Sequence, residues 1–159
     1  MKKSRFILTG ILLMGVLLMT GCGSSAKEGD NVQVHYTGTL TDGTQFDSSV
    51  GREPLQFTVG AGQMIAGFDR AVVGMKVGDK KTVTIPAAEA YGERNEDLLV
   101  EYDREELPAD IVPEVGMKLN AAGRMVTITE VTETTFTIDS NHELAGKDLI
   151  FEIEMVAIN

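Results

Sequence analysis

The chain has 159 residues, 43% of them hydrophobic and 24% charged, which excludes a mainly disordered polypeptide and leaves room for one domain, or one domain with a small inserted lobe. A net charge of −10 argues against nucleic acid as a partner; with Lys2, Lys3 and Arg5 of the first segment set aside, 11 Lys and Arg face 24 acids, net −13. The single cysteine, Cys22, excludes an intramolecular disulfide and a cysteine-built zinc site.

Lys2, Lys3 and Arg5 precede an apolar run from Phe6 to Met19, the charged and hydrophobic regions of a secretory signal. The run is shorter than the roughly 20 apolar residues that a membrane-spanning helix needs. Leu18-Met19-Thr20-Gly21-Cys22 resembles a bacterial lipobox, with Met19 where that box usually carries Leu. On this resemblance residues 1–21 are a lipoprotein signal peptide, and Cys22 becomes an acylated N-terminus held in a membrane of the bacterial cell envelope. Residues 22–30, rich in Gly, Ser and charge, read as a lipid-anchored tether. An ordinary signal with an incidental cysteine, or an uncleaved anchor, are the alternatives.

From Asn31 the pattern has period two: Val32, Val34 and Tyr36 alternate with polar residues up to the turn signal Thr41-Asp42-Gly43-Thr44. Leu55 to Val59 alternates likewise. After Gly60-Ala61-Gly62, residues Met64, Ile65, Phe68, Ala71 and Val72 follow at helical spacing. Lys81 to Ile85 reads as a strand stopped by Pro86. The last strand is Leu149 to Ile158, with Leu149, Phe151, Ile153 and Met155 on one face and Glu152 and Glu154 on the other. A sheet with one wet face wrapped around one short helix predicts an antiparallel α+β fold.

Residues 93–142 differ in character, with 4 basic and 12 acidic residues, net −8. A solvated acidic loop is the plain reading, but fifty structureless residues inside a domain are improbable. Leu98, Leu99, Val100, Leu107, Ile111 and Val112 interrupt the charge, and Met125–Val131 and Thr134–Ile138 alternate. The segment is expected to be a small β-rich inserted lobe whose apolar residues partly form a core and partly face outward.

Val34-His35-Tyr36-Thr37-Gly38-Thr39-Leu40 and Asp42-Gly43-Thr44-Gln45-Phe46-Asp47-Ser48-Ser49 come first in a longer series of motifs. Gly62-Gln63-Met64-Ile65-Ala66-Gly67-Phe68-Asp69, Gly74-Met75, Gly78-Asp79-Lys80, Pro86 and Ala90-Tyr91-Gly92 follow in turn. In order and spacing these resemble the FKBP-type peptidyl-prolyl cis/trans isomerases. Asn141 to Phe151 resembles the return from the insert in the SlyD-like members. The resemblance divides the chain into an isomerase domain, 31–92 and 143–159, and an insert-in-flap chaperone lobe, 93–142.

The resemblance also implies site residues. Tyr36, Phe46, Asp47, Ile65 and Tyr91 take catalytic positions, and Met64, Phe68, Phe151 and His142 bind substrate, His142 from the pocket rim. Phe68 stands where the short form has Trp, a change that bears on pocket depth and macrolide affinity. The His- and Cys-rich metal-binding tail of the subgroup has no counterpart before Asn159, so no nickel role is expected. His35 and His142 lack metal-ligand spacing and read as hydrogen-bonding residues.

The expected activity is isomerisation of X–Pro bonds in unfolded polypeptides, by a monomer without cofactor or metal. Consistent with that, Gly60-Ala61-Gly62 lacks the Lys-Ser/Thr of a phosphate loop, and no Ser-His-Asp motif is recognisable. A lipid-anchored holdase with a catalytically weak pocket is the alternative, and an adhesin or structural lipoprotein ranks behind both.

Overall fold

The computed structural model describes residues 24–121 and 123–159. The expected signal peptide of 1–21 and the acylated Cys22 lie outside the described residues. Among those described, nine strands and one α-helix form two antiparallel sheets, the α+β arrangement that the alternating runs predict.

The first sheet is built from β1 (Asn31–Leu40), β2 (Gln45–Ser48), β3 (Leu55–Thr58), β4 (Lys80–Ile85) and β9 (Leu149–Ile158). Its order is β2-β1-β9-β4, and β3 pairs the first half of β1. The central pair runs from Val32↔Ile158 to Leu40↔Leu149. This register puts Val32, Val34, Tyr36, Leu149, Phe151, Ile153 and Met155 on the face that packs against α1 (Ala66–Val72). Seven residues are too few for a stable isolated helix, so α1 depends on burying Phe68, Ala71 and Val72. Its second residue is glycine for lack of space: a Cβ on Gly67 would lie 2.3 Å from Ile85 Cγ2.

The second sheet, order β5-β8-β7-β6, comprises β5 (Leu99–Asp103), β6 (Lys118–Ala121), β7 (Arg124–Val131) and β8 (Thr135–Asp139). It has its own core of Val126, Ile128, Phe136 and Ile138, with Tyr102, Leu107, Met117, Leu119 and Val131 packed against it. Val100, Val112, Val115 and Met125 face outward. Strands β2, β5 and β6 escape the sequence reading, because four or five residues offer too little alternation to separate from a loop.

Two crossing segments join the sheets. Asn95 N–H donates to Asn141 Oδ1 and Asn141 Nδ2 returns a bond to Asn95 O, both at 2.9 Å. Gly146 N–H donates to Gly92 O at 2.8 Å, and Arg94 Nη2 meets the buried Asp139 carboxylate at 2.9 Å.

One expectation is corrected. Composition assigns 22–30 to a tether, yet the chain is part of the fold from Ala26. Ala26 is fully buried, donates its N–H to Met75 O and accepts from Gly74 N–H, both at 2.8 Å, and Gly29 N–H reaches Val59 O. A small side chain that fits the core, and backbone partners supplied by the 74–75 turn, outweigh a composition that locally favours coil.

Candidate active site

The inner face of the first sheet and the start of α1 enclose a cavity of about 440 Å³. Tyr36, Phe46, Asp47, Met64, Ile65, Phe68, Tyr91 and Phe151 all line it, joined by Leu55 and Gln63. Four strands and the helix entry each contribute, so only the fold brings these residues together.

The floor is aromatic. Phe68 and Phe151 meet edge to face with centroids 5.2 Å apart and planes at 81°, and Phe46 meets Phe151 at 5.6 Å and 84°. Tyr36 completes the set against Phe68 at 5.9 Å and 83°. These are favoured ring geometries, and they make the floor of the cavity a largely apolar aromatic surface. The approach is close enough that a Cβ on Gly38 would lie 2.5 Å from Phe46 Cζ.

One wall is polar and ordered. The Tyr36 hydroxyl donates to Asp47 Oδ2, while Arg52 Nη2 and Ser48 N–H donate to Asp47 Oδ1, both at 2.8 Å. Arg52 also donates to the Ser48 carbonyl. The hydrogen bond from Tyr36, followed by those from Arg52 and Ser48, holds the Asp47 carboxyl below the usual carboxylate range. Burial first, and the Asp47 carboxylate second, push the Tyr36 hydroxyl up to about 12. At neutral pH the wall is therefore a neutral phenol on an ionised, fully partnered carboxylate.

On the opposite wall Ile65 sits at the N-cap of α1 with extended φ/ψ, its carbonyl accepting from Phe68 and Asp69 N–H. Its own N–H has no acceptor among the described residues, nor does the half-exposed Tyr91 hydroxyl. His142 does not line the cavity. Its ring stacks on Tyr91 with centroids 4.0 Å apart, and its Nδ1 accepts from Leu144 N–H at 3.1 Å, which places the ring proton on Nε2. His35 lies on the opposite sheet face, its Nδ1 at 3.2 Å from Ser49 Oγ. A second concavity of about 320 Å³ on that wet face is lined by His35, Lys80, Glu152 and Glu154 and crossed by the Lys80–Glu154 ion pair.

The model of the FKBP-type peptidyl-prolyl cis-trans isomerase family matches residues 22–156. The chain belongs to that family. It is accordingly a peptidyl-prolyl cis/trans isomerase. It is 42% identical over 144 residues to a short-type peptidyl-prolyl cis-trans isomerase of Methanocaldococcus jannaschii, covering 81% of this chain and 91% of the relative. To the SlyD isomerase of Treponema pallidum it is 37% identical over 131 residues, 80% of this chain and 74% of that one. FK506-binding protein 1A of Neurospora crassa is 55% identical over only 69 residues, 43% of this chain and 58% of that one.

Sequence reasoning missed Arg52, Leu55 and Gln63. Leu55 was detectable as the first inward position of the alternating run 55–59. Arg52 has no such signal: it stands in a loop, and only the return of the chain to β3 brings its guanidinium to Asp47.

Proposed function

We propose that this isomerase is a folding helper for exported proteins, held at a membrane of the bacterial cell envelope through acylated Cys22, with residues 93–142 as a chaperone lobe. The enclosure of an X–Pro-sized apolar cavity by Tyr36, Phe46, Phe68, Tyr91 and Phe151 beside the fixed Asp47 carboxylate carries the reading of the site.

Rotation about an X–Pro bond faces a barrier of about 18–20 kcal/mol because amide resonance must be broken. No bond is made or cleaved. In the twisted state the amide loses much of its dipole, so it has less to lose than the planar form on leaving water. An apolar aromatic site therefore binds the twisted form better relative to the planar one, and that difference is catalysis. Phe46, Phe68, Phe151 and Met64 hold the prolyl ring. The Ile65 N–H and the Tyr91 hydroxyl, both without an acceptor among the described residues, donate to substrate carbonyls. Asp47 fixes Tyr36 and presents negative charge to the rotating carbonyl carbon.

Two observations support the chaperone role: a lobe with its own core, and the outward Val100, Val112, Val115 and Met125 among many acids. The clients are unfolded, proline-containing polypeptides, and the working unit is a monomer.

The test measures isomerisation of an X–Pro tetrapeptide and refolding of a proline-limited protein, for the wild type, Asp47→Ala, Tyr91→Phe and a version with 93–142 replaced by a short loop. The reading expects both pocket changes to lower peptide activity, and the loop version to keep it while losing rate on the protein client. Wild type that suppresses aggregation yet matches the uncatalysed peptide rate would instead make it a holdase.

A further inference from the structure

The chain is fixed to the fold at Ala26, four residues after Cys22, and four extended residues reach at most about 14 Å. If Cys22 carries lipid, the surface around Ala26 is held against the bilayer. That surface is the turn from Val73 to Asp79, to which Ala26 is bonded on both sides. Met75 is buried at its centre, and Val73 and Val77 on either side are 44% and 59% exposed. Beside them Lys27 and Lys76 are exposed, and neither joins an ion pair among the described residues.

Charge separates this end from the other. Residues 26–30 and 73–81 carry four lysines against three acids, with Lys80 paired to Glu154, whereas 93–142 is net −8. The two regions also leave opposite ends of one strand. The turn enters β4 at Lys80, opposite Glu154, and the chain leaves β4 toward the insert at Ile85, opposite Leu149. Five residue steps separate those ends, about 17 Å of strand. The cavity lies at the start of α1, the turn beyond its end.

We infer that the Val73–Asp79 turn with Lys27 is a membrane-facing surface, seated on anionic lipid headgroups, which points the prolyl pocket and the acidic insert away from the bilayer. The inference rests on the proposed acylation of Cys22. The valines reach into the headgroup boundary and the lysines sit among phosphates. The insert, repelled by the same anionic surface, completes the orientation.

The test uses the exported, full-length protein in vesicles of phosphatidylethanolamine and phosphatidylglycerol containing a headgroup-diazirine phospholipid. After illumination, lipid adducts are mapped by mass spectrometry, and intact mass reports the acyl chains on Cys22. Adducts are expected on peptides 26–30 and 73–79 and not on 93–142. Lys27→Glu with Lys76→Glu should lower their yield several-fold, each lysine contributing on the order of fivefold in affinity, while activity on a soluble X–Pro peptide is unchanged. Acylated protein whose adducts fall evenly, or on the insert, overturns the orientation alone. An unacylated Cys22 overturns the anchor, and the orientation with it.

Discussion

The rings of Tyr91 and His142 lie parallel, with planes 1° apart and centroids separated by 4.0 Å. Tyr91 stands where the chain leaves the first sheet and His142 where it returns, so the stack closes the base of segment 93–142 and braces a tyrosine that stays 42% exposed even with His142 against it. A stacked pair is worth about 0.5–1.5 kcal/mol. His142→Ala should therefore lower kcat/KM on an X–Pro peptide roughly two- to tenfold, while His142→Phe keeps most of it. Equal activity of His142→Ala and wild type would remove the brace.

The Tyr36–Asp47 pair sets a pH signature. Because the Tyr36 pKa is raised, its contribution to stability is complete below the ordinary tyrosine value of 10.0 and is lost as pH rises toward about 12. Asp47 has the opposite sign: its depressed pKa contributes stability above the ordinary carboxylate value of 3.8, lost as pH falls below it. Absorbance titration at 295 nm should show one tyrosine ionising near 12, and Asp47→Asn should bring that step down. A Tyr36 step at the ordinary value of 10.0 would contradict the geometry.

Gly38 is a packing requirement of the pocket. An alanine Cβ there falls 2.5 Å from Phe46 Cζ and 3.0 Å from Phe151 Cε1, so both rings must move. Overpacking of this kind costs about 1–3 kcal/mol. Gly38→Ala should lower Tm by several degrees and reduce peptide activity more than stability. A control at Gly67, whose Cβ would meet Ile85 and not the pocket rings, should lower Tm without that extra loss of activity.

A reciprocal amide bridge ties the two ends of segment 93–142 together. Asn141→Ala removes both bonds to the Asn95 backbone and one to Asp139, each worth about 0.5–1.5 kcal/mol. Hydrogen exchange should quicken in 93–98 and 139–142 while β1 and β9 stay protected. Uniform acceleration across the chain would mean that the two sheets unfold as one unit.

Much of this organisation was legible from residues alone. Strict alternation marks β1 and β9 because each has one wet and one buried face, and period two survives over ten residues. Helical spacing from Met64 to Val72 marks α1 for the same reason. The motif series from Val34 to Gly92 brought the family, and with it the residues that line the cavity. Short strands were not legible: β2, β5 and β6 have four or five residues each, too few for alternation to show, and β2 owes its place to the Gly38↔Asp47 register.

Sequence by itself therefore determined the family, the α+β class and which side chains are apolar, since these depend on local pattern and residue type. Tertiary structure decided what those residues touch. It drew Arg52 from a loop onto Asp47, stacked His142 on Tyr91, and buried Ala26 in what composition reads as tether. Arg52 is placed by the path of the loop from β2 to β3, and the other two by contacts between segments far apart in sequence, and no local propensity encodes either.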